Sequence, residues 1–87
     1  MFRISVVKSS NGAVTLRVDG QVAGHGVEEL RRSCEEVLSR GAQLTLDLAG
    51  VSFIHCDGVT LLQSFKGQGV ILTKPSAFVA EQLKGHS

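Results

Sequence analysis

Hydrophobic and polar positions alternate over much of the first twenty residues, as they do in β-strands that bury one face. Residues 2–8 and 13–19 both follow this pattern, with apolar side chains at every second position. The segment between them has the sequence Ser-Ser-Asn-Gly, and Asn-Gly is a dipeptide favoured in tight hairpin turns. The pattern predicts that a β-hairpin begins the domain.

A helical period replaces the alternation after the glycine-rich segment 20–26. Residues 26–40 carry apolar side chains at spacings of three and four, which predicts an amphipathic helix that ends at Gly41. Glutamates and arginines fill the other positions, in pairs four residues apart that stabilise a helix. Cys34 lies in the apolar stripe, so we predict that it packs in the core. That stripe comprises Val27, Leu30, Cys34, Val37 and Leu38.

The second half of the chain alternates strands with short helices. Residues 42–49 predict a strand, and the apolar run resumes at Val51, Phe53 and Ile54. Beyond the polar residues 55–58, apolar positions predict a short helix through Phe65 and then a strand over residues 70–73.

Pro75 is predicted to begin a final helix, because a proline in the first turn loses no hydrogen bond. Phe78, Val79 and Leu83 are its predicted buried face, and residues 85–87 are a predicted frayed tail. The order β-β-α-β-α-β-α predicts one α/β domain over residues 1–87, with its core at about 2–84. Its helices are expected to pack on a mixed, partly parallel four-stranded sheet.

Composition and charge favour binding over catalysis. The chain has 87 residues, a net charge of +1 and no Trp or Tyr, so we expect neither nucleic acid nor a membrane as partner. No apolar run approaches the roughly 20 residues that span a bilayer. The N-terminus lacks signal-peptide features, so we expect a cytoplasmic protein with free thiols at Cys34 and Cys56. A chain this short leaves little room for a catalytic cleft.

His55, Cys56 and Asp57 are adjacent residues with reactive side chains. Neighbouring side chains are expected to diverge, whereas tetrahedral metal sites usually take ligands from separated positions, so we predict no metal site. The same adjacency argues against a Cys–His nucleophile pair, and neither a catalytic residue nor a cofactor is predicted. Instead, Asp57 is predicted to be the N-cap of a helix that starts near Gly58. In open α/β sheets, such a strand-to-helix loop is where ligands and partners bind.

Residues 44–62, LTLDLAGVSFIHCDGVTLL, resemble the central motif of STAS domains, the fold of anti-anti-sigma factors and of the cytoplasmic tails of sulphate transporters. The family motif is a strand ending in Asp-Leu-Ser-Gly-Val, followed by Phe-Ile-Asp-Ser-Ser-Gly-Leu and a helix. Weaker resemblance in residues 14–22 and 69–83 extends the similarity to roughly residues 3–84. The matching motif positions are Asp47, Leu48, Gly50, Val51, Phe53, Ile54 and Gly58.

The chain departs from the family where partner-switching members are phosphorylated. Their phosphoacceptor serine corresponds to Cys56, the preceding Asp to His55 and the following Ser to Asp57. A serine kinase does not modify a thiol, so the resemblance implies that the usual switch is absent. The charge of Asp57 could mimic a phosphoryl group, although we favour its capping role. Other hydroxyls are left open as acceptors, namely Ser52, Thr60 and Ser64.

The resemblance implies a non-catalytic module that acts as an anti-sigma factor antagonist in bacterial partner-switching signalling. Its expected partner is an anti-sigma factor-like kinase or another regulatory protein. Family members commonly add a strand and a helix beyond the third helix, so a partner or a second copy could cover the apolar surface there. The residues expected to contact the partner are His55, Cys56, Asp57, Gly58 and Thr60.

Two alternatives are left open. In the first, the loop 20–26 and the turn 55–58 form a shallow pocket that senses a nucleotide or another anion at a helix N-terminus. Asp57 weighs against this alternative, because its carboxylate repels an anion. In the second, Cys56 provides redox control, which requires an accessible and acidic thiol.

Overall fold

The computed structural model describes residues 2–84, and its elements follow the predicted order. Met1 and residues 85–87, where a frayed tail was predicted, lie outside the described residues. None of the described helices is long and apolar enough to cross a membrane. The elements are β1 (Arg3–Ser10), β2 (Ala13–Val22), α1 (His25–Ser39), β3 (Gln43–Ile54), α2 (Cys56–Gly67), β4 (Ile71–Thr73) and α3 (Ala77–Lys84).

The four strands form one sheet in the order β1-β2-β3-β4. β1 and β2 pair antiparallel through the predicted hairpin, in which Gly12 adopts a positive φ of 78° that a tight turn requires. β2 pairs parallel with β3, and β3 pairs parallel with β4. The mixed four-stranded α/β fold predicted from the sequence is therefore confirmed.

The three helices pack on one face of the sheet. Alternate residues of β2 and β3, such as Leu16 and Leu46, are buried, whereas their neighbours Thr15 and Thr45 on the opposite face keep partial exposure. Each helix contributes to the same core cluster. In α1 the buried residues include Leu30, Cys34 and Val37, as the apolar stripe predicted.

Two irregularities change which residues of β3 face the core. Between Arg17 and Asp19 of β2, and again between Gly20 and Gln21, the paired segment of β3 contains one extra residue. Each bulge reverses the side to which the following residues point. The buried positions of β3 are therefore even at first (44, 46 and 48), odd after the first bulge (Val51) and even again after the second (Ile54).

α3 begins at Ala77, two residues after the predicted Pro75, because Ser76 caps it. The Ser76 Oγ accepts a hydrogen bond from the Val79 N–H at 3.2 Å. Val79 is fully buried, but Phe78 is 57% exposed, so its predicted place on the buried face is wrong. Adjacent residues of a helix point about 100° apart, and Val79 is the one that turns toward the sheet.

A side chain of α3 occupies the free edge of β3 beyond the short strand β4. The Gln82 amide accepts a hydrogen bond from the Ile54 N–H at 3.0 Å and donates one to the Ile54 carbonyl at 2.6 Å. It thus pairs with both backbone groups as a neighbouring strand would. This contact fixes α3 beside the end of β3, one residue before the polar cluster begins.

Candidate functional site

The polar residues 55–58 lie at the end of the sheet where the parallel strands β2 and β3 finish together. Val22 and Ile54 are register partners, and the His55 N–H donates to the Val22 carbonyl at 2.9 Å. α2 begins at the next residue, Cys56. The predicted strand-to-helix junction is therefore confirmed, although only His55 lies between β3 and α2. The junction lies at the edge where open α/β sheets usually bind their ligands and partners.

His55, not Asp57, is the N-cap of α2. His55 has extended backbone angles, and its Nδ1 accepts from the Asp57 N–H at 3.4 Å. The first helical hydrogen bond already joins the Val59 N–H to the His55 carbonyl at 3.0 Å. The prediction for Asp57 is wrong because the helix starts two residues earlier than Gly58. The Asp57 carboxylate lies in the first turn, where it still meets the positive end of the helix.

The side chains of His55, Cys56 and Asp57 converge. His55 Nδ1 lies 3.7 Å from Cys56 Sγ and 3.8 Å from Asp57 Oδ2. Each of the three side chains brings one nitrogen, sulfur or oxygen atom within 4.8 Å of those of the other two. The expectation that these neighbours point apart is therefore wrong. The extended backbone of His55 turns its imidazole back over the first turn of the helix, where the following two side chains emerge. All three residues are exposed.

This geometry differs from that of a catalytic triad. In a triad, one imidazole nitrogen faces the nucleophile while the other is held by a carboxylate. Here a single nitrogen, His55 Nδ1, faces the thiol, the carboxylate and the helix N–H together. His55 Nδ1 is therefore the central atom of the cluster, and the carboxylate does not orient the imidazole toward the thiol.

The remaining two predicted contact residues lie on different sides of α2. Gly58 is buried, and a Cβ there would lie 2.9 Å from both Ile54 Cγ2 and Val22 Cγ1. Its role is to let the helix approach the two strand ends. Thr60 is exposed one turn beyond Cys56, and its hydroxyl donates to the Cys56 carbonyl at 3.2 Å. Cys56, Asp57 and Thr60 therefore form the exposed side of the first turn.

Two residues of the central motif shape the strand that leads to the site. Asp47 Oδ1 accepts from the Ala49 N–H at 3.0 Å, which holds the first bulge of β3. At Gly50, any Cβ would collide with the Asp19 carboxylate. This carboxylate also accepts from Arg17 Nε at 3.1 Å. The Asp and Gly of the motif therefore act as scaffold, because they set the register at which β3 reaches His55.

An exposed aromatic pair near the site was missed by the sequence reasoning. The rings of Phe53 and Phe78 stack with centroids 6.4 Å apart, and the side chains are 38% and 57% exposed. Phe53 lies two residues before His55, at a position that the second bulge of β3 turns outward. The signal in the sequence was the pair of apolar residues Phe53-Ile54, which a strictly alternating strand does not bury on one face.

A cleft of about 560 Å³ lies between the hairpin and α1, toward the opposite end of β2 from the site. Its floor is apolar and includes Ile4, Val14 and Val37. Residues of the loop 20–26 and of the turn 55–58 do not line it. The reactive side chains at the start of α2 therefore lie on an open surface, apart from this concavity.

The two cysteines are free thiols in contrasting surroundings. Cys34 is fully buried in the core, as predicted, whereas Cys56 is exposed. Burial raises the pKa of the Cys34 thiol to about 12, with a smaller contribution from the charge of Glu35. Of the two thiols, only Cys56 is open to metals or reagents in the folded protein.

Comparisons with known proteins agree with this architecture. Two similar solved structures are the anti-sigma factor antagonist SpoIIAA in its unphosphorylated form and an anti-sigma factor antagonist from Mycobacterium paratuberculosis. SpoIIAA superposes with a TM-score of 0.72 at 23% identity, over 98% of this chain and 81% of its own. The mycobacterial protein gives a TM-score of 0.70 at 18% identity, over 95% and 79%. At these identities the likeness shows the fold alone.

Among curated protein sequences, none matches the chain significantly. A family model, that of the STAS domain, matches residues 5–84, from within β1 to the end of α3. The fold and the motif that shapes β3 lead to the same family. The chain belongs to the STAS domain family.

Proposed function

We propose that this chain is a non-catalytic antagonist module that binds a regulatory protein of the anti-sigma factor class through the start of α2. The observation that carries the proposal is the open position of the reactive side chains. The side chains of His55 and Asp57 are 51% and 79% exposed, and Cys56 is exposed between them. An open polar surface fits a protein partner, whereas small molecules bind in concave pockets.

The proposed contact surface comprises His55, Cys56, Asp57 and Thr60, together with the Phe53–Phe78 pair. Its composition supports partner binding, because exposed aromatic side chains provide buried area in an interface while polar neighbours provide specificity. Gly58 lies beneath this surface and positions the helix. The structural likeness to two anti-sigma factor antagonists supports the class of partner.

We infer that this surface lacks the serine phosphorylation switch of partner-switching family members. The first helical residue of α2 is Cys56, and its thiol is not a substrate for a serine kinase. The chain would then bind its partner constitutively, or under a control other than phosphorylation at position 56. In an assay with ATP and the host's anti-sigma kinase, mass spectrometry is expected to find no phosphate on Cys56, and the same spectra report on the exposed hydroxyls of Ser52, Thr60 and Ser64.

The proposal is tested by isothermal titration of the host's anti-sigma factor into two matched variants. Thr60→Arg places a bulky charge on the contact surface. Ser39→Arg makes the same change at the end of α1, where the hydroxyl likewise donates to a helix carbonyl, that of Glu36, at 2.8 Å. Thr60→Arg is expected to weaken binding at least about tenfold, as disruption of an interface hot spot does. Full affinity in a folded Thr60→Arg protein would contradict the surface assignment.

A further inference from the structure

The three converging side chains at the start of α2 form a set of metal ligands. We propose that His55 Nδ1, Cys56 Sγ and Asp57 Oδ2 bind one zinc ion per chain. The imidazole, the thiolate and the carboxylate are the three protein groups that zinc binds most often. The sequence argued against a metal site because neighbouring side chains were expected to diverge, and the structure removes that objection.

The distances fit the size of the ion. A tetrahedral zinc ion, with bonds of about 2.0–2.3 Å, holds its ligand atoms about 3.3–3.6 Å apart. The Nδ1–Sγ distance is 3.7 Å and the Nδ1–Oδ2 distance is 3.8 Å, so both contacts need only a few tenths of an ångström of closure. The thiol and the carboxylate lie within 4.8 Å of each other, so this third pair closes through rotation of the Asp57 side chain, which is 79% exposed.

The charges fit a divalent cation. The Cys56 thiol releases its proton to solvent as the zinc–sulfur bond forms, so one thiolate and one carboxylate neutralise the ion. The helix N-terminus opposes the cation with roughly half an elementary charge, less than these two full negative charges. His55 Nδ1 exchanges a long, 3.4 Å hydrogen bond from the Asp57 N–H for the metal.

The fourth position of the ion faces solvent, because all three ligands are exposed. Water completes the tetrahedron in the isolated protein, as it does at zinc sites with three protein ligands. Cys34 cannot take part, since it is fully buried in the core. The proposal concerns the isolated chain, so it does not depend on the proposed regulatory partner.

The test uses Co²⁺ as a coloured substitute for zinc on the purified, reduced protein. Thiolate coordination is expected to give a charge-transfer band in the near ultraviolet that saturates at one ion per chain. Zn²⁺ should displace the cobalt and bleach the band. Cys56→Ser should abolish the band, and His55→Gln or Asp57→Asn should weaken affinity by at least about tenfold. The control is His25→Gln, which changes an exposed histidine at the start of α1 and should leave affinity unchanged.

Several outcomes would overturn the site. The first is the absence of the band at saturating cobalt, and the second is its persistence in Cys56→Ser. Equal affinity in the wild type, His55→Gln and Asp57→Asn would mean that a thiol alone binds the metal. Saturation at one ion per two chains would mean that the ligands come from two copies. Circular dichroism of each variant checks that the fold is intact.

Discussion

Gly58→Ala tests how the site is positioned, because Gly58 lies where α2 meets the ends of two strands. An added Cβ would lie 2.9 Å from Ile54 Cγ2 and Val22 Cγ1, and 3.2 Å from the Val22 carbonyl oxygen. Ile54 and Val22 are both fully buried, so neither methyl group has space to retreat. The helix must move away from the sheet, or the core must deform.

The expected loss follows from two opposing effects. Overpacking a well-packed core costs about 1–3 kcal/mol. Alanine in a helix interior is favoured over glycine by up to about 1 kcal/mol. Subtracting the second effect from the first gives a net destabilisation of Gly58→Ala of about 0–2 kcal/mol relative to the wild type. In a domain of this size, each 1 kcal/mol lowers Tm by about 4–8 °C.

The assay is urea unfolding, and the matched control is Gly67→Ala at the other end of the same helix. A Cβ at Gly67 has no heavy atom within 4 Å, so the substitution gains helix propensity without a clash. Gly67→Ala is expected to equal or exceed the wild type in stability. If Gly58→Ala proved as stable as Gly67→Ala, α2 would not be packed against the strand ends as described.

The remaining predictions concern α3 and the two thiols. Gln82→Ala leaves the backbone N–H and carbonyl of Ile54 without their partners and should lower the free energy of unfolding by about 1–3 kcal/mol in urea titrations. In alkylation followed by mass spectrometry at pH 8, Cys56 should react rapidly and Cys34 only after unfolding; simultaneous reaction would contradict its burial. Because burial raises the pKa of Cys34 from 9.0 to about 12, the neutral thiol should contribute fully to the free energy of unfolding below pH 9, and this contribution should decline as the pH rises above 9. The Cys34→Ala protein should not show this decline in a pH series of urea titrations. Cys56→Ser should restore a phosphate acceptor for the host's anti-sigma kinase, detected by mass spectrometry; an unmodified variant would contradict the proposed equivalence with the family serine.

Much of the fold follows from short-range patterns. Alternation in β2 and the helical period of α1 predict elements whose burial depends on one face only, and both were confirmed. β3 is harder because its two bulges depend on pairing with β2, which lies more than twenty residues earlier. A register shift leaves no periodic mark that can be read without knowing the partner strand.

The errors at the site have the same origin. Whether His55 or Asp57 caps α2 depends on where the first helical hydrogen bond forms, and the end of β3 decides that. The exposed position of Phe78 depends on Gln82, which holds α3 against Ile54 through two long-range bonds. The sequence motif therefore predicted the junction between β3 and α2 correctly, whereas side-chain directions required the tertiary contacts.

The most direct test of the proposed contact surface is a map of partner binding on the ¹⁵N-labelled protein. The host's anti-sigma factor is titrated into the protein, and the amide shifts of the described residues are followed by NMR. The account predicts that the largest changes fall on residues 53–60 and around Phe78, with little change on the open face of the sheet. Largest changes on that face, at residues such as Thr15 and Thr45, with residues 53–60 unmoved, would contradict it.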